Sequence, residues 1–209
     1  MTDKSPSDHR VRRGDGPILI GLGANLPSER FGGPRQTLEA ALAELERRGV
    51  RVVRRSRWYE SAPVPRSDQP WYVNGVAAVE TGLGPEALLA VLHAIEHDFG
   101  RVRGARNAAR AVDLDLLAYG DLVRAGPAAP LLPHPRVPER AFVLLPLAEI
   151  APGWRLPGSG ETVAALAARL PPDQEIRPLG VGEPEAGDRT APVEPRKGRP
   201  SAQKPAGRH

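Results

Sequence analysis

The stretch Val112-Asp113-Leu114-Asp115-Leu116-Leu117 decides how the fold and its chemistry are interpreted. Apolar and acidic residues alternate in it, and this is typical of a β-strand because residues i and i+2 of a strand point to the same face. We therefore expect Leu114 and Leu116 to face the core. Asp113 and Asp115 should lie side by side on the opposite face.

Two adjacent carboxylates repel each other unless a positive charge lies between them. A hard divalent cation supplies that charge, and Mg²⁺ in particular is held by one or two carboxylates together with substrate phosphates. The acidic pair therefore indicates a magnesium site. The local pattern alone also allows an edge strand whose acidic face is simply hydrated.

The segment before the pair, Gly100–Arg110, contains four arginines and no acidic residue. Arginine suits bidentate recognition of phosphate, and the small residues in the segment would allow a loop to close over a substrate. A cationic loop followed by an acidic pair is the arrangement that phosphoryl transfer requires. A solvated basic loop and contact with a nucleic-acid backbone are the alternatives.

The rest of the chain between residues 17 and 180 predicts interleaved strands and helices. Two neighbouring strands on either side of a proline-rich loop at 62–70 resemble a hairpin, so the pattern favours an α+β fold with a largely antiparallel sheet. Apolar spacing and Pro or Gly boundaries predict the helices. The expected strands are 18–22, 50–60, 72–81 and 112–119, and the expected helices are 34–48, 85–99, 139–150 and 161–170.

Two further groups are candidates for binding. Tyr72 and Asn74 share one face of their strand, and an aromatic ring beside a carboxamide suits a flat heterocycle. His134 lies between two prolines that fix its backbone. Simple packing for the pair, and a structural or exposed role for the histidine, are the ordinary alternatives.

Composition excludes several classes of protein. The 209 residues include no Cys, which excludes disulfides, thiolate metal sites and a Cys nucleophile. The formal charge is +4, of which +2 lies in residues 181–209 and +1 in residues 1–16, so the basic charge lies largely in the ends of the chain and is weak evidence for nucleic-acid binding. No P-loop is present, no apolar run is long enough to span a bilayer, and no signal peptide is expected. We expect a cytoplasmic protein.

The two ends of the chain differ in composition from the body. Residues 181–209 contain no aromatic residue and are rich in Pro, Gly and charge, and residues 1–16 are similarly polar. Such segments cannot bury enough apolar surface to offset the entropy of ordering. We therefore expect one domain at 17–180, flanked by disordered extensions at 1–16 and 181–209.

Several motifs occur in the order found in the 6-hydroxymethyl-7,8-dihydropterin pyrophosphokinase family, and residues from Ile18 to about Leu179 resemble that family. They are Gly21-Leu22-Gly23-Ala24-Asn25-Leu26, the segment Ser56–Asn74 with its Gln69-Pro70, Ile95-Glu96 with Gly100–Arg103, Arg110–Leu116, and Leu132–Pro135 with Arg140–Leu147.

The resemblance implies a ferredoxin-like α+β sandwich and the transfer of pyrophosphate from ATP to the pterin hydroxymethyl group, releasing AMP. It implies two Mg²⁺ ions on Asp113 and Asp115. The pterin would be bound by Ser61, Ala62, Val64, Tyr72, Asn74 and Phe142. ATP would be contacted by Glu96, Arg101, Arg103, Arg110, His134 and Arg140, and the catalytic groups would be Arg101, Arg110, Asp113 and Asp115. No nucleic-acid or membrane partner is expected, and the protein should be a monomer.

One segment departs from the family pattern. Before the acidic pair the family usually reads Trp-Gly-Pro-Arg-Thr, whereas Asn107–Ala111 keeps only the arginine. The family's Trp and its Gly-Pro pair are therefore missing from the segment that, by this resemblance, closes over the substrate. This departure motivates a second hypothesis, a homologue that binds pterin or nucleotide without efficient turnover. A nucleic-acid-binding protein that uses the arginine loop is the third.

Overall fold

The computed structural model describes residues 16–100, 111–126 and 130–180. Arg101, Arg103, Arg110 and the expected extensions, apart from Gly16, lie outside these described residues. The elements follow in the order β1 (Ile18–Ala24), α1 (Pro34–Arg47), β2 (Arg51–Arg55), β3 (Tyr59–Ser61), β4 (Tyr72–Glu80), α2 (Pro85–Asp98), β5 (Asp113–Tyr119), a 3-10 turn (Val137–Glu139), α3 (Ala141–Ile150), α4 (Val163–Ala167) and β6 (Ile176–Pro178).

The strands form one sheet in the order β5-β1-β4-β3-β6, and β2 also pairs with β4. Every strand pair in the described part of the chain is antiparallel. The predicted α+β class, the antiparallel sheet and the pairing across the 62–70 loop are confirmed.

The two faces of the sheet carry two separate cores. Alternate residues of β1, β4 and β5 pack with α1 and α2 on one face, and they include Ile20, Leu22, Leu114 and Leu116. The other face packs against α3, α4 and the Trp154 region. The expectation that Leu114 and Leu116 face the core is confirmed, and Asp113 and Asp115 consequently lie on the α3 side of the sheet.

The single strand expected at 50–60 is wrong, because the structure divides it into β2 and β3. Ser56 is the cause of the break. Its backbone N–H donates to the Val76 carbonyl, its hydroxyl accepts a hydrogen bond from the Val76 N–H at 3.1 Å, and the same hydroxyl donates to the Arg57 carbonyl at 2.7 Å. A side chain therefore replaces one backbone bond of the ladder, and the strand changes course there.

The ends of two helices also differ from the sequence expectation. The helix predicted at 139–150 begins at Ala141, after the 3-10 turn, and continues through Pro146. The helix predicted at 161–170 spans only Val163–Ala167, with the Thr162 hydroxyl accepting from the Ala165 N–H. The short strand β6, which pairs with β3, has no counterpart in the sequence prediction.

Gly75 in β4 gives a direct test of this packing. A Cβ at this position would lie 2.8 Å from Cζ3 and 2.9 Å from Cε3 of Trp58, whose ring is 4% exposed. Gly75→Ala should therefore lower the free energy of unfolding by about 1–3 kcal/mol, because a packed ring has to move. Urea denaturation monitored by circular dichroism measures this change.

Gly82→Ala is the matched control. Apart from its chain neighbours, no atom of the described residues would lie within 4 Å of a Cβ at Gly82. The control should change the free energy of unfolding by less than about 0.5 kcal/mol. Equal effects of the two substitutions would contradict the packing of Trp58 over Gly75.

Candidate active site

A cavity of about 580 Å³ lies on the sheet face that α1 and α2 leave uncovered. The strand register places Gly23 of β1 opposite both Asn74 of β4 and Asp113 of β5. Adjacent strands lie 4.7–4.9 Å apart, so Asn74 and Asp113 are about 10 Å apart across this glycine. A Cβ at Gly23 would lie 3.2 Å from the Asn74 Oδ1. Glycine therefore leaves the space between the Asn74 and Asp113 side chains open.

Asp113 and Asp115 both line the cavity and are half-buried. They belong to β5, an edge strand of the sheet. The Leu114 N–H between them donates to the Glu96 Oε1 of α2 at 2.9 Å. An edge strand has backbone donors that need an acceptor when they are buried. Glu96 therefore supports the backbone that presents the acidic pair.

The sequence analysis expects Glu96 to contact ATP, and this contact stays a prediction. In the structure Glu96 is 1% exposed and is not among the residues that line the cavity. Its carboxylate lies behind β5, on the α2 side. Glu96 is thus placed as a support for the acidic pair and not as a group that faces the cavity.

Cationic and neutral donors face the acidic pair from the segment before α3. The Arg140 Nη1 donates to the Asp115 Oδ2 at 3.3 Å, and its guanidinium lies 5.2 Å above the centre of the Phe142 ring. Burial lowers the pKa of Arg140, while the charge of Asp115 acts in the opposite direction. An arginine stays protonated despite such a shift, so the positive charge persists beside Asp115.

His134 is oriented by two backbone contacts. The backbone N–H of His134 donates to the Leu117 carbonyl at 2.8 Å. The ring Nδ1 of His134 accepts a hydrogen bond from the backbone N–H of Arg136 at 3.1 Å. Because a backbone N–H can only donate, the neutral ring carries its proton on Nε2. Burial lowers the pKa of His134, with Asp115 opposing the shift and Arg140 and Arg136 adding to it. The histidine is therefore a neutral hydrogen-bond donor at pH 7.

The other end of the cavity combines aromatic rings with a buried amide. The Asn74 Nδ2 donates to the Ser61 Oγ at 2.8 Å, and both side chains are 4% exposed. The Tyr72 hydroxyl donates to the Gln69 Oε1 at 3.1 Å. The Asn25 Nδ2 donates to the same Gln69 oxygen at 3.2 Å, which ties the 62–70 loop to the end of β1. This end of the cavity suits a flat, polar-edged ring.

Ten of the residues that the sequence analysis selected line this one cavity: Ser61, Ala62, Val64, Tyr72, Asn74, Asp113, Asp115, His134, Arg140 and Phe142. Arg101, Arg103 and Arg110 lie outside the described residues, so their predicted contacts stay predictions. Gln69 and Arg136 also line the cavity and were missed as site residues. The Gln69-Pro70 motif and the position of Arg136 two residues after His134 were the available signals.

Asp113 and Asp115 suit a Mg²⁺ ion that the carboxylates and the substrate phosphates coordinate together. Within residues 16–100, 111–126 and 130–180, no group of three or more His, Asp or Glu side chains could hold a metal ion alone. Mg²⁺ needs only one or two carboxylates when phosphate oxygens and water complete its shell. Asp113 and Asp115 match that donor set.

Comparisons with known proteins agree with this geometry. Residues 19–152 match the family model described as 7,8-dihydro-6-hydroxymethylpterin-pyrophosphokinase. A 2-amino-4-hydroxy-6-hydroxymethyldihydropteridine pyrophosphokinase of Pseudomonas aeruginosa is 43% identical over 152 residues, which cover 72% of this chain and 90% of the relative. The enzyme of the same name from Synechocystis is 42% identical over 153 residues, covering 73% of this chain and 75% of the relative.

Solved structures show the same fold at low sequence identity. An HPPK-DHPS triple mutant of Plasmodium falciparum superimposes with a TM-score of 0.57 and 14% identity. The match covers 72% of this chain but only 42% of that longer chain. This likeness supports the α+β architecture alone.

The lowered pKa of His134 predicts how stability depends on pH. The folded value lies below the ordinary 6.5, so the folded protein binds a proton here less readily than the unfolded chain. The stabilisation is complete above pH 6.5 and should be lost as the pH falls through the folded pKa. An NMR titration of the His134 ring should give a midpoint below 6.5.

A spectrum of the His134→Gln variant identifies the resonance by its disappearance. The variant should also lose part of the decrease in unfolding free energy between pH 7 and pH 5. A His134 midpoint above 6.5 would contradict the buried, neutral ring.

Proposed function

The chain belongs to the 7,8-dihydro-6-hydroxymethylpterin-pyrophosphokinase family, and we propose which of its residues bind each substrate and the metal. The protein is an ATP-dependent transferase that moves pyrophosphate from ATP to 6-hydroxymethyl-7,8-dihydropterin in folate synthesis. The observation that carries the proposal is that the aromatic–amide pair and the acidic pair line one cavity.

The pterin occupies the end of the cavity beside β3 and β4. Its ring stacks between Tyr72 and Phe142, which both line the cavity. The Asn74 carboxamide reads the polar edge of the ring, and its hydrogen bond to Ser61 fixes its orientation. The backbone near Ala62 and Val64 completes the wall. Since the strand spacing leaves about 10 Å between Asn74 and Asp113, a bicyclic ring held at Asn74 directs its hydroxymethyl group towards the acidic pair.

The phosphates of ATP occupy the end beside β5. The guanidinium of Arg140 lies next to Asp115 and offers fixed donors to anionic oxygens. The Nε2–H of His134 is available in the neutral tautomer, and the exposed Arg136 lines the same wall. Arg101, Arg103 and Arg110 are proposed as further phosphate contacts on the sequence argument alone.

Asp113 and Asp115 would hold magnesium, and we propose two ions, as the resemblance implies. Bound Mg²⁺ would neutralise phosphate charge and favour the displacement at phosphorus. The two carboxylates offer four oxygens on one face of β5. Arg140 donates to one of these oxygens, the Oδ2 of Asp115.

The reaction forms one bond and breaks one. The pterin hydroxymethyl oxygen attacks the β-phosphorus of ATP, and the bond from that phosphorus to the oxygen bridging the α- and β-phosphates breaks. AMP leaves with the electron pair on its oxygen, and the hydroxyl proton passes to solvent or to a phosphate oxygen. The residues of the chain hold the reactants in line and stabilise the charge on the phosphates, which is the main requirement of phosphoryl transfer.

The remaining expectations are part of the proposal. No helix in the described residues is long and apolar enough to cross a membrane. We propose that residues 17–180 form the catalytic domain. We also propose that the protein is monomeric and cytoplasmic and that it has no nucleic-acid partner. Light scattering on a size-exclusion column measures the oligomeric state.

The acidic pair provides the sharpest test. Asp113→Asn and Asp115→Asn should each lower kcat by roughly two orders of magnitude or more, because a neutral amide is a poor ligand for Mg²⁺. Asp121→Asn is the matched control, since Asp121 is exposed in the turn after β5, and its kcat should be unchanged. The assay follows AMP formed from Mg·ATP and the hydroxymethyl-dihydropterin.

Circular dichroism should show that all three variants remain folded. Near-normal turnover in both acidic-pair variants would show that the metal assignment is wrong. Formation of ADP in place of AMP by the unaltered protein, or no product at any Mg²⁺ concentration, would contradict the proposed reaction.

A further inference from the structure

The segment Gln174–Pro178 lies beyond the residues that match the family model, yet it contacts the walls of the active site. β6 pairs with β3, and the Glu175 carbonyl accepts a hydrogen bond from the Ala62 N–H at 3.0 Å. The Glu175 carboxylate forms an ion pair with Arg66 in the loop above the cavity. Gln174 reaches the start of α3.

The N-terminus of α3 lacks a capping hydrogen bond from its own N-cap side chain. Helices leave their first backbone N–H groups without an intrahelical acceptor, and a Ser, Thr, Asp or Asn side chain at the N-cap normally accepts one of them. Here the N-cap is Arg140, and its side chain makes no capping hydrogen bond. A guanidinium has no acceptor atom, so it cannot fill this role.

Gln174, 33 residues along the chain, provides an acceptor for the first N–H of the helix. Its Oε1 accepts from the Ala141 N–H at 2.8 Å, and its Nε2 donates to the Glu139 carbonyl at 2.8 Å. The two bonds hold the backbone on both sides of Arg140, and the buried Ala141 N–H is satisfied.

We propose that Gln174 is a positioning residue that holds the backbone on both sides of Arg140, so that the Arg140 side chain is kept towards Asp115 and the phosphates. The inference rests on the proposed function of Arg140. An N-cap residue of the usual kind would accept from the N–H of Phe142 or Val143, but it would leave no cation at this position. The site has a cation at the N-cap, and a distant glutamine bonds the backbone on either side of it.

The substitution Gln174→Met tests this role, because methionine has a similar length and cannot form either bond. It should lower kcat/KM for ATP about tenfold, as expected for the loss of a helix cap that fixes a phosphate contact. Gln174→Glu keeps an acceptor for the Ala141 N–H but has no donor for the Glu139 carbonyl. Its kcat/KM should lie between the values of Gln174→Met and the unaltered protein.

Asp173→Ala is the control, because Asp173 is the exposed neighbour of Gln174 and has no part in the proposed site. It should leave the kinetics unchanged. All measurements are made well below the melting temperature of each variant, so that a loss of folded protein does not enter the rates.

A double-mutant cycle distinguishes positioning from a general structural effect. In the Arg140→Met background, Gln174→Met should change kcat/KM by less than about twofold, because the group that it positions is already absent. The inference is overturned if Gln174→Met has wild-type kinetics, or if its effect is the same in both backgrounds. Wild-type kinetics of Arg140→Met alone would instead contradict the proposed function of Arg140.

Discussion

The backbone register of β1 with its two neighbours determines where the groups of the site lie. Gly23 is paired with Asn74 on one side and with Asp113 on the other. Because side chains alternate along strands, this single row places the Asn74 amide and the first carboxylate, Asp113, on the same face. A shift of one residue in either pairing would move one of these groups to the α1 and α2 core, where neither could meet a substrate.

Polar side chains from other elements stabilise this arrangement. Glu96 accepts from the Leu114 backbone behind the acidic pair, and Gln174 caps the turn that presents Arg140. Within the part of the chain that the structure describes, no buried side-chain nitrogen or oxygen lacks a hydrogen-bond partner. Burying several charged and polar groups costs free energy unless each of them has a hydrogen-bond partner. The hydrogen bonds of Glu96 and Gln174 therefore help to stabilise the cavity.

Local periodicity was sufficient to predict two pairs of residues that line the cavity. The alternation in β5 gave the acidic pair, and the same rule gave Tyr72 with Asn74, since both depend only on neighbours two residues apart. The family resemblance supplied Phe142 and Arg140, which no periodicity links to the pair. The residues predicted from periodicity and those predicted from the resemblance line the same cavity.

The parts that were missed depend on contacts distant in sequence. The break at Ser56 arises from its bonds to Val76, and the role of Glu96 arises from a bond to Leu114, 18 residues away. β6 has only three residues and ends in a proline, so it carries no periodic signal. A capping glutamine 33 residues from its helix leaves no local pattern either.

One end of the cavity is proposed to bind the pterin, and the other end to hold the phosphates. Calorimetry of pterin binding without ATP or Mg²⁺ tests this division most directly, using Tyr72→Ala beside the Asp113→Asn/Asp115→Asn double variant. Tyr72→Ala should weaken pterin binding at least tenfold, while the double variant should bind within about threefold of the unaltered protein. Loss of pterin binding in the double variant, with normal binding in Tyr72→Ala, would contradict this division.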